Sequence, residues 1–114
     1  MANFNRNFSK AKKQTYNHRS YHSVAEAGYA MYLDQLLKEK KIKSWKPQVK
    51  IELFGENGSH ICNYYVDFMI EHNDGKIEYV EVKGFATAIW ALKWKLFNDK
   101  FGKDNNIKIT LEKV

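Results

Sequence analysis

"DGKIEYVEVKG" (Asp74–Gly84) is the stretch on which the fold turns. Asp-Gly opens it as a turn, and β-branched and aromatic residues follow at strand spacing. Strand side chains alternate between faces, so Ile77, Tyr79, Glu81 and Lys83 line one side, Val80 and Val82 the other. Two charges thus share a face that is otherwise apolar. Such a pair is either an exposed ion pair, worth little, or the polar part of a site.

The preceding run, "HICNYYVDFMIEH" (60–72), is a longer strand, and "NDG" joins the two into a hairpin. Two loops fit. With Asp74 and Gly75 alone as a type I′ turn, Asn73 pairs with Lys76, and Asp67 falls opposite Val82, away from Glu81. With Asn73, Asp74 and Gly75 as a loop closed by a left-handed Gly, His72 pairs with Lys76. Asp67 then lies across from Glu81, and Tyr65 across from Lys83. Opposed side chains stand ~5 Å apart at Cβ, and two carboxylates there repel unless a cation sits between them. The sequence leaves both registers open; the second one makes a metal site.

Outward from the hairpin, "PQVKIELF" (47–54) alternates Val49, Ile51 and Leu53 with polar residues and reads as a half-buried strand, followed by the turn "GENGS". "NIKITLEKV" (106–114) alternates Ile107, Ile109 and Leu111, a fourth strand. "VAEAGYAMYLDQLLKEKKI" (24–42) is a helix with Tyr29, Ala30, Leu33, Leu36 and Leu37 in one stripe. "TAIWALKWKLFNDKFG" (87–102) is a second helix, with Trp90, Trp94, Phe97 and Phe101 as its stripe and Gly102 as its stop. The order predicts an α/β fold, αβββαβ, with a four-stranded mixed sheet and flanking helices.

Glu26 falls at the same helical angle as Ala30, Leu33 and Leu37, so it heads toward the sheet rather than toward water. "SVAE" is also a capping box, with Ser23 as N-cap and Glu26 reaching back to its backbone N–H. The two roles are compatible, since a helix terminus against a sheet can present the same carboxylate to a metal.

A chain of 114 residues is expected to form one domain, residues 21–114, behind a basic arm, residues 1–20, which need not be ordered without DNA. Neither a signal peptide nor a bilayer-length apolar run is evident, which predicts a cytoplasmic protein. The single Cys62 cannot pair internally, in keeping with a reducing compartment. With His18, His22, His60 and His72 lacking ligand spacing, a zinc site is not expected. The net charge is +6, and Arg6, Lys10, Lys12, Lys13 and Arg19 all precede the first acid, Glu26. Such an arm either binds phosphates, with Asn, Tyr and Phe interleaved for stacking, or merely keeps the chain soluble.

A helical Glu, an Asp on the second strand and Glu-x-Lys on the third, in αβββαβ order, resemble the PD-(D/E)XK nuclease superfamily. "YHSVAEAGYAMYLDQLLKEKKIKSWKPQVKI", "YVDF", "IEYVEVKGF" and "LKWKLF" are similar, more narrowly, to a family of small phage-encoded, Holliday-junction-resolvase-like proteins, from about Lys10 to the end. Glu39-Lys40-Lys41 matches Glu-x-Lys as well, on an exposed helix face, so the weight lies on order, spacing and the trailing Gly84. One departure is Val66, where the family usually carries Pro. The resemblance implies Glu26, Asp67, Glu81 and Lys83 as catalytic residues. Mg²⁺ or Mn²⁺ would be held by Asp67, Glu81, the Val82 carbonyl and Glu26, with Lys83 beside the attacking water.

DNA contacts are expected at Lys10, Lys12, Lys13, Arg19, Ser23 and Lys95, with Lys93 a solvated charge. The function implied is a metal-dependent endonuclease on branched DNA, acting as a homodimer, with no membrane and no small-molecule cofactor. A nicking or flap nuclease and a non-catalytic nucleic-acid-binding module are the alternatives.

Overall fold

The sheet is built on its hairpin. His72 N–H donates to the Lys76 carbonyl at 2.9 Å and Gly75 N–H to the His72 carbonyl at 3.0 Å, which closes a loop of Asn73, Asp74 and Gly75. Gly75 sits at φ 89, a left-handed conformation that glycine adopts at no steric cost. Of the two registers open to the sequence, the chain takes the one whose pairing, Phe68 with Val80 through Glu71 with Ile77, extends to bring Asp67 level with Glu81.

The computed structural model describes residues 14–16 and 19–21, by their backbone, and residues 23–114. α1 (Val24–Lys38) precedes β3 (Ser44–Phe54), β4 (His60–Glu71) and β5 (Ile77–Lys83); α2 (Ala88–Phe101) and β6 (Ile107–Lys113) follow. The sheet order is β3-β4-β5-β6, antiparallel except for the parallel β5–β6 pair that α2 connects. This is the expected αβββαβ mixed sheet. Two short strands, β1 (Gln14–Tyr16) and β2 (Arg19–Tyr21), pair antiparallel at the end of the region expected to be an arm, with Tyr21 the first residue of the expected domain. Lys10, Lys12 and Lys13 lie outside the described residues.

Two boundaries differ from the sequence reading. β3 starts at Ser44 and runs through Pro47, which an edge strand tolerates because proline's missing N–H need not face a neighbour. α1 ends at Lys38 rather than at Ile42. Lys41 N–H bonds the Leu36 carbonyl at 2.9 Å and Lys40 N–H the Leu37 carbonyl at 3.0 Å, a Schellman stop with Lys40 at φ 58. Leu37, expected in the buried stripe, is consequently 39% exposed, while Ile42 packs into the core after the chain has reversed.

One helix covers each face. α1 contributes Tyr29, Ala30 and Leu33 to a cluster with Phe68, Ile70, Val80, Val82 and Trp45. α2 packs Phe97, Trp90, Trp94 and Phe101 against Val49, Ile51, Leu53, Tyr64, Val66 and Tyr79. A regular strand would keep Trp45 with Val49, and Phe68 with Val66, on one face. Here they sit on opposite faces. Both strands turn over between Pro47↔Phe68 and Val49↔Val66, at Gln48 and Asp67, where the pairing is interrupted and Gln48 takes φ 50.

A lysine in the left-handed region is strained by roughly 1–2 kcal/mol, part of which glycine gives back as chain entropy. Lys40→Gly should therefore stabilise the protein by about 0.5–1 kcal/mol in denaturant unfolding, whereas Lys40→Val should destabilise it.

Candidate active site

Past Phe68↔Val80 the β4–β5 ladder ends. There the Asp67 side chain replaces a backbone acceptor: its Oδ2 takes the Val82 N–H at 2.8 Å. Opposite it, Glu81 is 3% exposed and has a neutral donor on each oxygen. Tyr64 OH donates to Oε1 at 2.9 Å and Trp90 Nε1 to Oε2 at 2.9 Å. Trp90 lies in the first turn of α2, whose start is fixed by Thr87 Oγ1 accepting the Trp90 N–H at 3.1 Å. Lys83 Nζ stands 3.9 Å from Glu81 Oε2 and 4.9 Å over the Trp90 ring. Asp67, Glu81, Lys83, Tyr65 and Lys93 share one cleft of about 280 Å³.

Glu26 lies behind this cleft. Ser23 Oγ accepts its backbone N–H at 3.0 Å, which is half of the expected capping box. The carboxylate is directed inward instead: Oε1 accepts from Gln48 Nε2 at 2.6 Å, and the same nitrogen reaches Asp67 Oδ1 at 3.4 Å. Gln48, in its left-handed conformation, is thus the bridge between Glu26 and the cleft.

Burial first, and the Asp67 charge second, push Glu26 up to about 8; the Gln48 hydrogen bond opposes the rise. The same two causes push Glu81 up to about 7, against the bonds from Tyr64 and Trp90 and the charge of Lys83. Burial and then the Glu81 charge hold Tyr64 well above the ordinary tyrosine range, so it stays a donor.

The donor set fits a hard divalent cation at Asp67 and Glu81. Each Glu81 oxygen accepts one hydrogen bond and has a second lone pair, and Mg²⁺ needs only one or two carboxylates when waters and phosphate complete its shell. A three-acid set does not form directly: among the described residues, no group of three or more His, Cys, Asp and Glu is gathered for a metal. Gln48 separates Glu26 from the other two acids, and Val82 is tied to the site through its N–H.

Asp67, Glu81 and Lys83 are therefore brought together, and Glu26 joins them through Gln48. Ser23 caps α1 and does not line the cleft; the Arg19 side chain lies outside the described residues. Lys95 is exposed and away from the cleft, whereas Lys93, expected to be a solvated charge, lines it and donates to the Asn63 carbonyl at 3.2 Å. The helical period explains the exchange: Lys93 is three residues from Trp90 and shares its side, while Lys95 does not. Tyr64 and Gln48 are not singled out by sequence, and Trp90 is expected there only as a core residue of the α2 stripe. A half-buried indole needs a partner for its N–H, which was a usable signal for Trp90. Gln48 gave none, because strand alternation put it on the solvent side.

A family model described as "Protein of unknown function (DUF1064)" matches residues 6–112. The chain belongs to the DUF1064 family. No curated protein matches it. In this DUF1064 chain the matched span covers all of the cleft and both helices.

The raised carboxylates give a test. Glu26 and Glu81 release their protons near 4.5 when unfolded and near 8 and 7 when folded, so the folded state binds more protons in that window. Stability must then fall as pH rises. In EDTA, Tm should drop between pH 5 and 8 by about 5 °C or more, and Glu81→Gln should flatten the slope.

Proposed function

We propose that this chain is a Mg²⁺- or Mn²⁺-dependent DNA endonuclease, selective for branched DNA, that works as a homodimer in the cytoplasm in phage recombination, replication or packaging. One observation carries the reading: two buried acids and a lysine converge on a single cleft where two strands part. Buried like charges destabilise a fold, and a cleft that keeps them beside a lysine suits phosphate chemistry better than packing.

Asp67 and Glu81 would hold the ion, which when bound supplies Lewis acidity and neutralises charge on the phosphate. Tyr64 and Trp90 fix the rotation of the Glu81 carboxylate and favour its ionised form. Gln48 orients Glu26 and Asp67 toward each other. Lys83 Nζ places a compact positive charge at the cleft, where it steadies the attacking water and the charge that develops on the phosphate oxygens. Lys93 adds a second cation on the α2 wall. A closed two-fold dimer would present two such clefts to the two strands of a junction. The lone Cys62 agrees with a reducing compartment.

Labelled duplex, single strand, flap, fork and four-way junction, each with Mg²⁺ or Mn²⁺, test the reading. The wild type should cut the branched substrates most rapidly. Glu81→Gln and Lys83→Ala should each lower the rate by about 10²-fold or more. Junction binding without cutting under either metal would instead support a nucleic-acid-binding module on the same fold, a role compatible with the absence of a direct three-acid cluster among the described residues.

A further inference from the structure

The two edges of the main sheet, β3 and β6, differ in kind. β3 carries Pro47, the left-handed Gln48 and the exposed Lys46 and Lys50, devices that keep another strand from pairing. β6 has no proline and no bulge, and its pairing with β5 runs unbroken from Ile107 to Lys113. The Ile77 N–H donates to the Asn106 carbonyl at 2.9 Å and the Val114 N–H to the Lys83 carbonyl at 3.1 Å. Even-numbered residues of β6 therefore bond β5, and the N–H and C=O groups of Ile109 and Leu111 point outward. Among the described residues no strand pairs with that edge. Over the main sheet α1 lies against β3 and β5 and α2 against β3 and β4, so both helices stand back from β6. The half-buried Ile107, Ile109 and Leu111 lie on the α2 side of the strand, and Lys108, Thr110 and Glu112 on the α1 side.

We infer that the outer edge of β6 is the docking site of a second copy of this chain, whose own β6 pairs antiparallel about a two-fold axis at Thr110. In that register Ile109 and Leu111 exchange both backbone bonds with Leu111 and Ile109 of the second copy, and their apolar side chains meet on the α2 side. On the α1 side Lys108 comes opposite Glu112 of the second copy, twice by symmetry. Moving the register by two residues in either direction loses both of these pairs. Lys108 keeps its neighbour Glu78 across the β5–β6 pair, and Glu112 keeps its place near Tyr29 and Tyr32. The second copy adds to these contacts and displaces none. An axis normal to the sheet leaves both α2 helices on one face, so both acid clefts open on the same side. Strand spacing and rise put the two Glu81 residues roughly 15–20 Å apart, close enough for one branched substrate to reach both. The pairing gives the proposed homodimer its interface, and it stands on the edge of β6 without drawing on the nuclease chemistry.

The test uses the full chain without DNA or metal. In sedimentation equilibrium the wild type should be a dimer at tens of micromolar. Leu111→Pro removes an N–H that faces outward and leaves the β5–β6 ladder whole; it should stay folded by circular dichroism and associate at least about tenfold more weakly. In a Cys62→Ala background, Thr110→Cys sets two cysteines face to face on the axis, at a Cα separation of about 4.5 Å that a disulfide can bridge. Oxidised glutathione should then give a covalent dimer, while Lys46→Cys on β3 in the same background should give none. A monomeric wild type, a folded Leu111→Pro that dimerises as well as the wild type, or a dimer that Thr110→Cys does not cross-link would overturn the inference. If Leu111→Pro fails to fold, the cross-link decides. A monomer that cuts branched DNA sinks this inference alone, whereas a cross-linked dimer that cuts nothing under Mg²⁺ or Mn²⁺ sinks the nuclease reading and leaves the interface standing.

Discussion

Three carboxylates that repel one another, Glu26, Asp67 and Glu81, are buried where the start of α1 meets the sheet, and the surrounding structure is arranged to tolerate them. The means are mostly neutral donors. Tyr64 and Trp90 each take one oxygen of Glu81, Gln48 serves Glu26 and reaches Asp67, and the Val82 N–H serves Asp67. Neutral donors lower the cost of a buried carboxylate without cancelling its charge. Glu26 and Glu81 therefore hold protons toward neutral pH. In the proposed function, a cation would take the place of those protons.

The same requirement explains the break in the sheet. Asp67 can take the Val82 N–H only because β4 leaves β5 after Phe68. Gln48 reaches both acids from a left-handed conformation, a strain of about 1–3 kcal/mol of the sort that collects at functional sites. Turning both strands over at that point sends Phe68 and Ile70 to α1 and Tyr64 and Val66 to α2. Burial on the two helices thus offsets the irregularity. The aromatic cluster around Phe97, with Tyr64 and Tyr79 at 5.2 and 5.4 Å between ring centroids, holds α2 where Trp90 meets Glu81.

Much of this was legible in the sequence because it depends on period and turn chemistry. The alternation in "KIEYVEVKG" and the helical stripe through Leu33 located the elements, and the three-residue NDG loop was one of two registers that hairpin chemistry permits. Asp67, Glu81 and Lys83 followed from that register. What could not be read depends on departures from period. Gln48 contributes to the site because the strand ceases to alternate at that residue, and no residue type announces this. The stop at Lys40 was hidden as well, since the left-handed cap is a lysine where glycine is usual. The placing of Lys93 over Lys95 needed only the angle of α2 relative to Trp90, which the helical period already supplied.

The central claim is that Asp67 and Glu81 form a proton-exchanging cation site. Titration calorimetry of Mn²⁺ into the full chain at pH 7, in two buffers of different ionisation enthalpy, measures it directly. The account predicts one site, a net release of protons on binding, and loss of both in Asp67→Asn. Absence of binding at millimolar Mn²⁺, or binding that Asp67→Asn leaves intact, would contradict it.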